Sequence, residues 1–134
     1  MILVDTSVWI DFLNGAKAAE QRELQRLIEE GEDLALTGIV LTEILQGLRH
    51  DRDYERIKAY LLEFPFYEPQ GIETYLRAAG IYRTCRKRGK TVRKTVDCLI
   101  AALCLENDLA LLHHDRDFGR IAECVPLQIH PTRA

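Results

Sequence analysis

A chain of 134 residues with 47% apolar and 29% charged residues has the length and balance of one globular domain with its own core, and it leaves no room for a second catalytic domain. No apolar run approaches membrane-spanning length, and the amino terminus enters Ile2-Leu3-Val4 with no basic flank or small-residue cleavage site, so the expectation is a cytoplasmic protein with neither signal peptide nor anchor. The formal net charge of −3 argues neither for nor against a polyanionic partner.

Ile2-Leu3-Val4 is apolar without alternation, the pattern of a strand covered on both faces of a parallel sheet. It ends on Asp5, followed by Thr6 and Ser7. In open α/β sheets the ligand crevice lies outside the carboxyl ends of the strands, which makes Asp5 a candidate site residue; capping of the next helix by Asp5, Thr6 or Ser7 is the competing reading. That helix carries Val8, Ile10 and Leu13, stops at Asn14-Gly15, and places Asp11 on its solvent side. The spacing of Leu24, Leu27 and Ile28 predicts a helix over Ala18 to Glu30, and Leu34 to Leu36 is a short second strand.

Thr37-Gly38 turns into a third helix, Ile39 to Leu48. Glu43 shares its face with Ile39, Val40 and Gly47, so its carboxylate rises from a partly apolar stripe; a packed stem with its head in water would look the same. Asp51 to Leu62 is a charged helix with Ile57, Leu61 and Leu62 on one side. Phe64 to Gly71 is a proline-bounded connection with room for a short strand. Glu73 to Arg88 is a fifth helix, with Tyr75, Leu76, Ala79 and Tyr82 at core spacing.

That helix runs into the most uneven feature of the chain. Arg83, Arg86, Lys87, Arg88, Lys90, Arg93 and Lys94 put seven cations and no acid between residues 83 and 94; with these set apart from the total of 18, 11 cations remain against 21 acids. An acidic protein with one concentrated basic segment fits a local polyanion contact, and a solvated helix end near its C-terminal dipole is the alternative.

Thr95 to Leu105 is the most apolar helix and carries one charge, Asp97, in its first turn, on the face of Ile100, Ala101 and Cys104. Thr95 is the expected cap, and an acid inside a buried helix costs desolvation unless a cation or donor meets it. Asp97 is therefore the acid most strongly marked for function. Leu109 to Leu112 is another buried strand, and it delivers His113-His114-Asp115-Arg116-Asp117 to its carboxyl end. Asp115 and Asp117 are both candidate site residues, and either can cap the short helix containing Phe118 and Ile121. No third imidazole lies near His113 and His114, which read as loop histidines. Cys85, Cys98, Cys104 and Cys124 form no metal-binding spacing and read as small core residues in a reducing compartment. Val125 to Ile129 closes the domain as a last strand at the sheet edge, where Pro126 is tolerated.

Alternating strands and helices predict a doubly wound sheet that gathers Asp5, Glu43, Asp97, Asp115 and Asp117 along one edge. Carboxylates packed together raise one another's pKa values, and a divalent cation relieves the repulsion; all-oxygen ligation suits Mg²⁺ or Mn²⁺. Such an ion beside a basic segment points to hydrolysis of a nucleic-acid backbone.

Asp5-Thr6-Ser7, Thr42-Glu43-Ile44, Thr95-Val96-Asp97-Cys98-Leu99-Ile100-Ala101-Ala102 and His114-Asp115-Arg116-Asp117-Phe118 together resemble the acidic motifs of PIN-domain ribonucleases, and most closely the VapC toxins of prokaryotic toxin–antitoxin pairs. The ordered set spans essentially the whole chain. The resemblance implies a PIN-like three-layer α/β/α domain around a parallel five-stranded sheet, with Asp5, Glu43, Asp97 and Asp115 as an acidic quartet. Asp117 is a candidate fifth member, and Asp5, Asp97, Asp115 and Asp117 are the implied metal ligands. It also implies Mg²⁺- or Mn²⁺-dependent endonucleolytic cleavage of RNA, with tRNA among the candidate substrates, a homodimer, and a VapB antitoxin bound over the site. An amphipathic antitoxin segment against the third and fourth helices is the expected contact. Thr6 or Ser7 is a candidate to hold a water, and Arg86, Arg93 and Lys94 are candidates to hold substrate. The small hydroxyl residue usual before the last acid is replaced by His113 or His114. A haloacid dehalogenase-type phosphatase needs a second Asp where Ser7 stands. A DNA-directed nuclease of the same fold and a non-catalytic module remain as alternatives.

Overall fold

The computed structural model describes residues 1–132. In chain order the elements are β1 (Ile2–Val4), α1 (Thr6–Leu13), α2 (Ala19–Glu29), β2 (Leu34–Ala35), α3 (Gly38–Gln46), α4 (Asp51–Leu61), α5 (Ile72–Lys87), α6 (Thr95–Asn107), β3 (Ala110–Leu112) and α7 (Arg116–Cys124). The first strand becomes the centre of the sheet: β1 pairs in parallel with β2 on one side and β3 on the other. Leu3 sits between Ala35 and Leu111. The Asp5 N–H donates to the Leu112 carbonyl at 3.0 Å, so pairing persists to the residue where β1 hands over to α1.

Leu3, Val4, Leu111 and Leu112 are all fully enclosed. Successive strand side chains point to opposite faces, so both faces of the sheet are covered. The helices pack in two groups, α1 with α2 and α3, and α5 with α6 and α7, with α4 against α3. Trp9 anchors the first group: its ring meets Phe12, Tyr60 and Phe64 edge-on at centroid separations of 6.2, 6.4 and 5.6 Å. Such edge-to-face contacts add to the burial of the ring and fix the roll of α1, and with it the direction of its first turn. Among the described residues no helix is long and apolar enough to cross a membrane.

The sheet differs from the five strands expected. Three strands form a ladder, and the two outer positions shrink to single parallel bridges, Leu36 with Phe66 and Leu111 with Ile129. Each bridge has two hydrogen bonds. Leu36 donates to the Pro65 carbonyl at 3.0 Å and accepts from Tyr67 at 2.9 Å; Leu111 donates to the Gln128 carbonyl at 2.9 Å and accepts from His130 at 2.8 Å. Pro65 and Pro69 bracket the first segment, Pro126 and Pro131 the second, and a residue without an N–H cannot extend a ladder.

The face of α5 also differs. Thr74, Ala78, Ile81 and Cys85 are its buried stripe, whereas Tyr75 and Leu76 are 52% and 64% exposed. Both stripes have helical spacing. The smaller set faces inward because small side chains let α5 approach α6 closely, and Thr74 Oγ1 donates to Glu106 Oε1 of α6 at 2.7 Å. Gly89, at φ +76°, supplies the left-handed residue that ends the helix within the basic segment.

Candidate active site

β1 and β3 run parallel and side by side, so their carboxyl ends deliver Asp5 and Asp115 to one edge of the sheet. Asp5 occupies the N-cap position of α1 with its side chain making no capping bond; instead it accepts from the Ser7 hydroxyl at 2.8 Å. Burial pushes its carboxyl above the ordinary range, and the Ser7 hydroxyl only partly offsets this. Asp115 does cap α7, accepting from the Asp117 N–H at 2.9 Å, so for this residue the cap and the site position coincide.

The first turn of α6 brings Asp97 to the same edge. Lys94, not Thr95, holds the N-cap position. Asp97 is 5% exposed, and its Oδ2 is buried with no hydrogen-bond partner. Burial, then the negative charges of Asp5 and Asp115, push its pKa up to about 7, and Lys94 pulls the other way. An unpartnered buried carboxylate oxygen among other acids is unfavourable unless something cationic meets it. Glu43 completes the set from α3, where Thr6 Oγ1 donates to its Oε1 at 2.8 Å. Asp5, Glu43, Asp97 and Asp115, together with Thr6, Ser7 and Lys94, line one cavity of about 280 Å³.

Asp117 lies behind this cavity and is fully enclosed. Its Oδ2 accepts from the Arg93 N–H at 3.1 Å and from Arg93 Nε at 3.2 Å, while its Oδ1 accepts from Arg120 Nη1 at 2.8 Å. Burial opposes its charge, but the bonds from Arg93 and Arg120 outweigh burial and hold its carboxyl below the usual value. One oxygen from each of Asp97, Asp115 and Asp117 lies within 4.8 Å of the others, a donor set of hard oxygens alone that fits a cation such as Mg²⁺ or Mn²⁺. Within that trio both Asp117 oxygens are already engaged, and those of Asp97 are the least satisfied.

The basic segment divides between three tasks. Arg88 donates to the Glu123 carbonyl and Lys90 pairs with the Glu123 carboxylate, tying the end of α5 to α7. Arg93 pairs with Asp117 and lies 3.7 Å from Asp115, and Lys94 lines the acidic cavity. Arg86 is not brought to the site: it stacks over Tyr82, 5.7 Å from the ring centre. The histidines stay outside the acidic trio. His113 Nδ1 accepts from the Asp115 N–H at 3.0 Å, its ring packs against Phe118, and burial lowers its pKa, so it shapes the turn as a neutral ring. Two side chains at the site were not singled out from the sequence, Arg116 and Arg120. The Asp117-x-x-Arg120 spacing on a helix is the signal that could have found the second.

The PIN domain profile matches residues 2–123. The chain is 35% identical over 129 residues to VapC ribonuclease Mb1587 of Mycobacterium bovis, covering 96% of both chains. The same figures hold against Ribonuclease VapC11 of Mycobacterium tuberculosis. Among solved structures the fold is similar to that of VapBC-1 from nontypeable Haemophilus influenzae, with a TM-score of 0.72 at 21% identity and 97% of both chains covered.

Proposed function

The chain belongs to the PIN-domain family, and from that premise we propose that it is a metal-dependent endoribonuclease, the toxin of a VapBC-type toxin–antitoxin pair. The observation that carries the catalytic part is the unpartnered, buried Oδ2 of Asp97 in a cavity with Asp5, Glu43 and Asp115. Relatives named as VapC ribonucleases support RNA as the substrate class, with tRNA among the pools to test.

In the mechanism we infer, Asp97 and Asp115 hold Mg²⁺ or Mn²⁺ and Asp5 supports them from the end of β1. Bound there, such an ion supplies Lewis-acid activation of a phosphodiester and of the attacking water. The protein's own groups do the positioning. Thr6 fixes one oxygen of Glu43, leaving the other to orient a water or accept its proton, and Ser7 holds Asp5 in place. Lys94 contributes a positive charge at the cavity where phosphate charge develops. Asp117 acts through Arg93 and Arg120.

The partners in this reading are a VapB-type antitoxin and a second copy of the chain. Solved neighbours described as toxin–antitoxin complexes support the first. The exposed Tyr54 of α4 and Leu62 at its C-cap favour an amphipathic antitoxin segment on that side, and the exposed Ile72, Tyr75 and Leu76 of α5 favour self-association on the other. A cytoplasmic site of action is supported by the free cysteines Cys85, Cys98, Cys104 and Cys124.

The deciding experiment incubates end-labelled total RNA, tRNA and single-stranded DNA with the purified chain and Mg²⁺ or Mn²⁺, with EDTA and Asp97→Asn as controls. Internal cuts in RNA that vanish in both controls support the reading. Cuts in DNA alone move the assignment to a DNA-directed nuclease, and a folded chain that cuts neither and binds no metal is a non-catalytic module.

A further inference from the structure

A second cavity, of about 400 Å³, adjoins the acidic one and shares Ser7 and Asp115 with it. The rest of its lining is cationic or imidazole: Arg93, His114, Arg116 and Arg120. Two of these arginines, Arg93 from the loop before α6 and Arg120 from α7, are gripped by one enclosed carboxylate, since Asp117 takes Arg93 on Oδ2 and Arg120 on Oδ1. A guanidinium carries five donors, so both keep donors to spare after pairing with Asp117. Arg116 has no ion-pair partner among the described residues. Asp117 from behind and Asp115 at the wall supply two negative charges against three guanidinium groups, and Asp115 is the only carboxylate lining the concavity among the described residues, so a positive charge is left unmatched there. The ligand that relieves this is an oxyanion with several acceptor oxygens, which arginine forks bind bidentately.

We propose that this cavity is a phosphate subsite, which takes an internal phosphate of the RNA strand next to the bond cut in the acidic cavity. Arg116 and Arg120 bind that phosphate, Arg93 lines the same cavity 3.7 Å from the shared Asp115, and Asp117 is a positioning residue that holds Arg93 and Arg120 at the correct angle. The RNA part rests on the endoribonuclease reading, whereas anion binding stands on the cavity itself. The shared wall of Ser7 and Asp115 is what makes the occupant a flanking phosphate: a strand whose scissile group lies over the acids reaches the second cavity with its neighbouring phosphate.

The test uses the full chain in EDTA, so that no metal-dependent cut intervenes. Inorganic phosphate is titrated while amide signals are followed by NMR, and binding of a short single-stranded RNA is followed by fluorescence anisotropy over a range of salt. Shifts at Ser7, Arg116 and Arg120 are expected. Arg116→Gln should weaken RNA binding about tenfold and lower the salt slope by about 0.7. Arg120→Gln should do the same, with Arg120→Lys partly restoring affinity by keeping the charge beside Asp117. Arg86→Gln, remote from both cavities, should change neither quantity to that extent. Absence of phosphate shifts at these residues overturns the proposal, as does RNA binding indifferent to both Gln variants. Phosphate binding here by a chain that cuts no RNA with Mg²⁺ or Mn²⁺ would keep the anion site and overturn the ribonuclease reading.

Discussion

Thr6 and Glu43, 37 residues apart in the chain, are joined by a 2.8 Å hydrogen bond in which the hydroxyl donates to Oε1. The bond locks the first turn of α1 to the middle of α3 and sets one carboxylate oxygen at the cavity wall. Thr6→Val keeps the shape and removes the donor. It should lower the RNA cleavage rate by on the order of ten- to a hundredfold through loss of Glu43 orientation, and cost about 1 kcal/mol of stability. Thr6→Ser should retain most activity, and single-turnover rates on one cleaved RNA check both.

Asp97 makes the metal-free protein sensitive to pH. Its carboxyl moves from 3.8 to about 7 in the native state, so folding favours the protonated form. The contribution to stability is full below about pH 4 and is lost as pH rises through about 7. Thermal melts in EDTA should therefore show a decline over that window that Asp97→Asn lacks, the variant being the more stable of the two at pH 8. Added Mg²⁺ or Mn²⁺ should raise the melting temperature of the wild type more at pH 8 than at pH 6, because the ion competes with a proton.

His130 ties the carboxyl-terminal segment to α2. Its Nε2 lies 2.6 Å from Oε2 of the buried Glu23, which Arg26 also engages. The Arg26 hydrogen bonds lead in lowering the Glu23 pKa from 4.5 to about 2, with His130 adding to them against burial. Stability from Glu23 is thus present above about pH 4.5 and lost as pH falls through about 2. His130→Ala should cost about 1–3 kcal/mol at neutral pH, read from the urea midpoint, with RNA cleavage unchanged at temperatures where the variant is folded.

Trp9 is the single tryptophan of the chain, so its fluorescence reports the packing of α1 against Tyr60 and Phe64 without interference. Trp9→Ala should destabilise by about 3–5 kcal/mol. Because α1 begins at the acidic edge, cleavage should fall with the folded fraction. Trp9→Phe should keep the fold with a smaller loss, which calorimetry distinguishes.

The acids of the site were legible in the sequence because each stands at a break in a strong local pattern. Asp5 ends an unbroken apolar run, Asp115 follows another by way of His113 and His114, and Asp97 is the one charge in the apolar stretch Thr95 to Leu105; burial period and strand polarity are local properties that a linear pattern records. Glu43 was legible as an acid on an apolar stripe, but its tie to Thr6 was not, since nothing local links residues 37 positions apart. The sequence by itself thus determined the order of elements, the parallel α/β plan and the edge on which the carboxylates meet.

Only the tertiary structure decided how far each element extends and which neighbour each charge finds. Prolines on both flanks reduced the two outer strands to bridges, an outcome that depends on which N–H groups face a partner. Of two equally periodic stripes on α5, the smaller one turned inward because α6 lies close against it. The seven-cation segment was one feature in sequence and became several in space, with Arg88 and Lys90 spent on α7, Arg93 on Asp117, and Lys94 left at the acids. Periodicity reports which side of an element avoids water, whereas ion pairing and close packing depend on distances between elements, which are set only when the whole core closes.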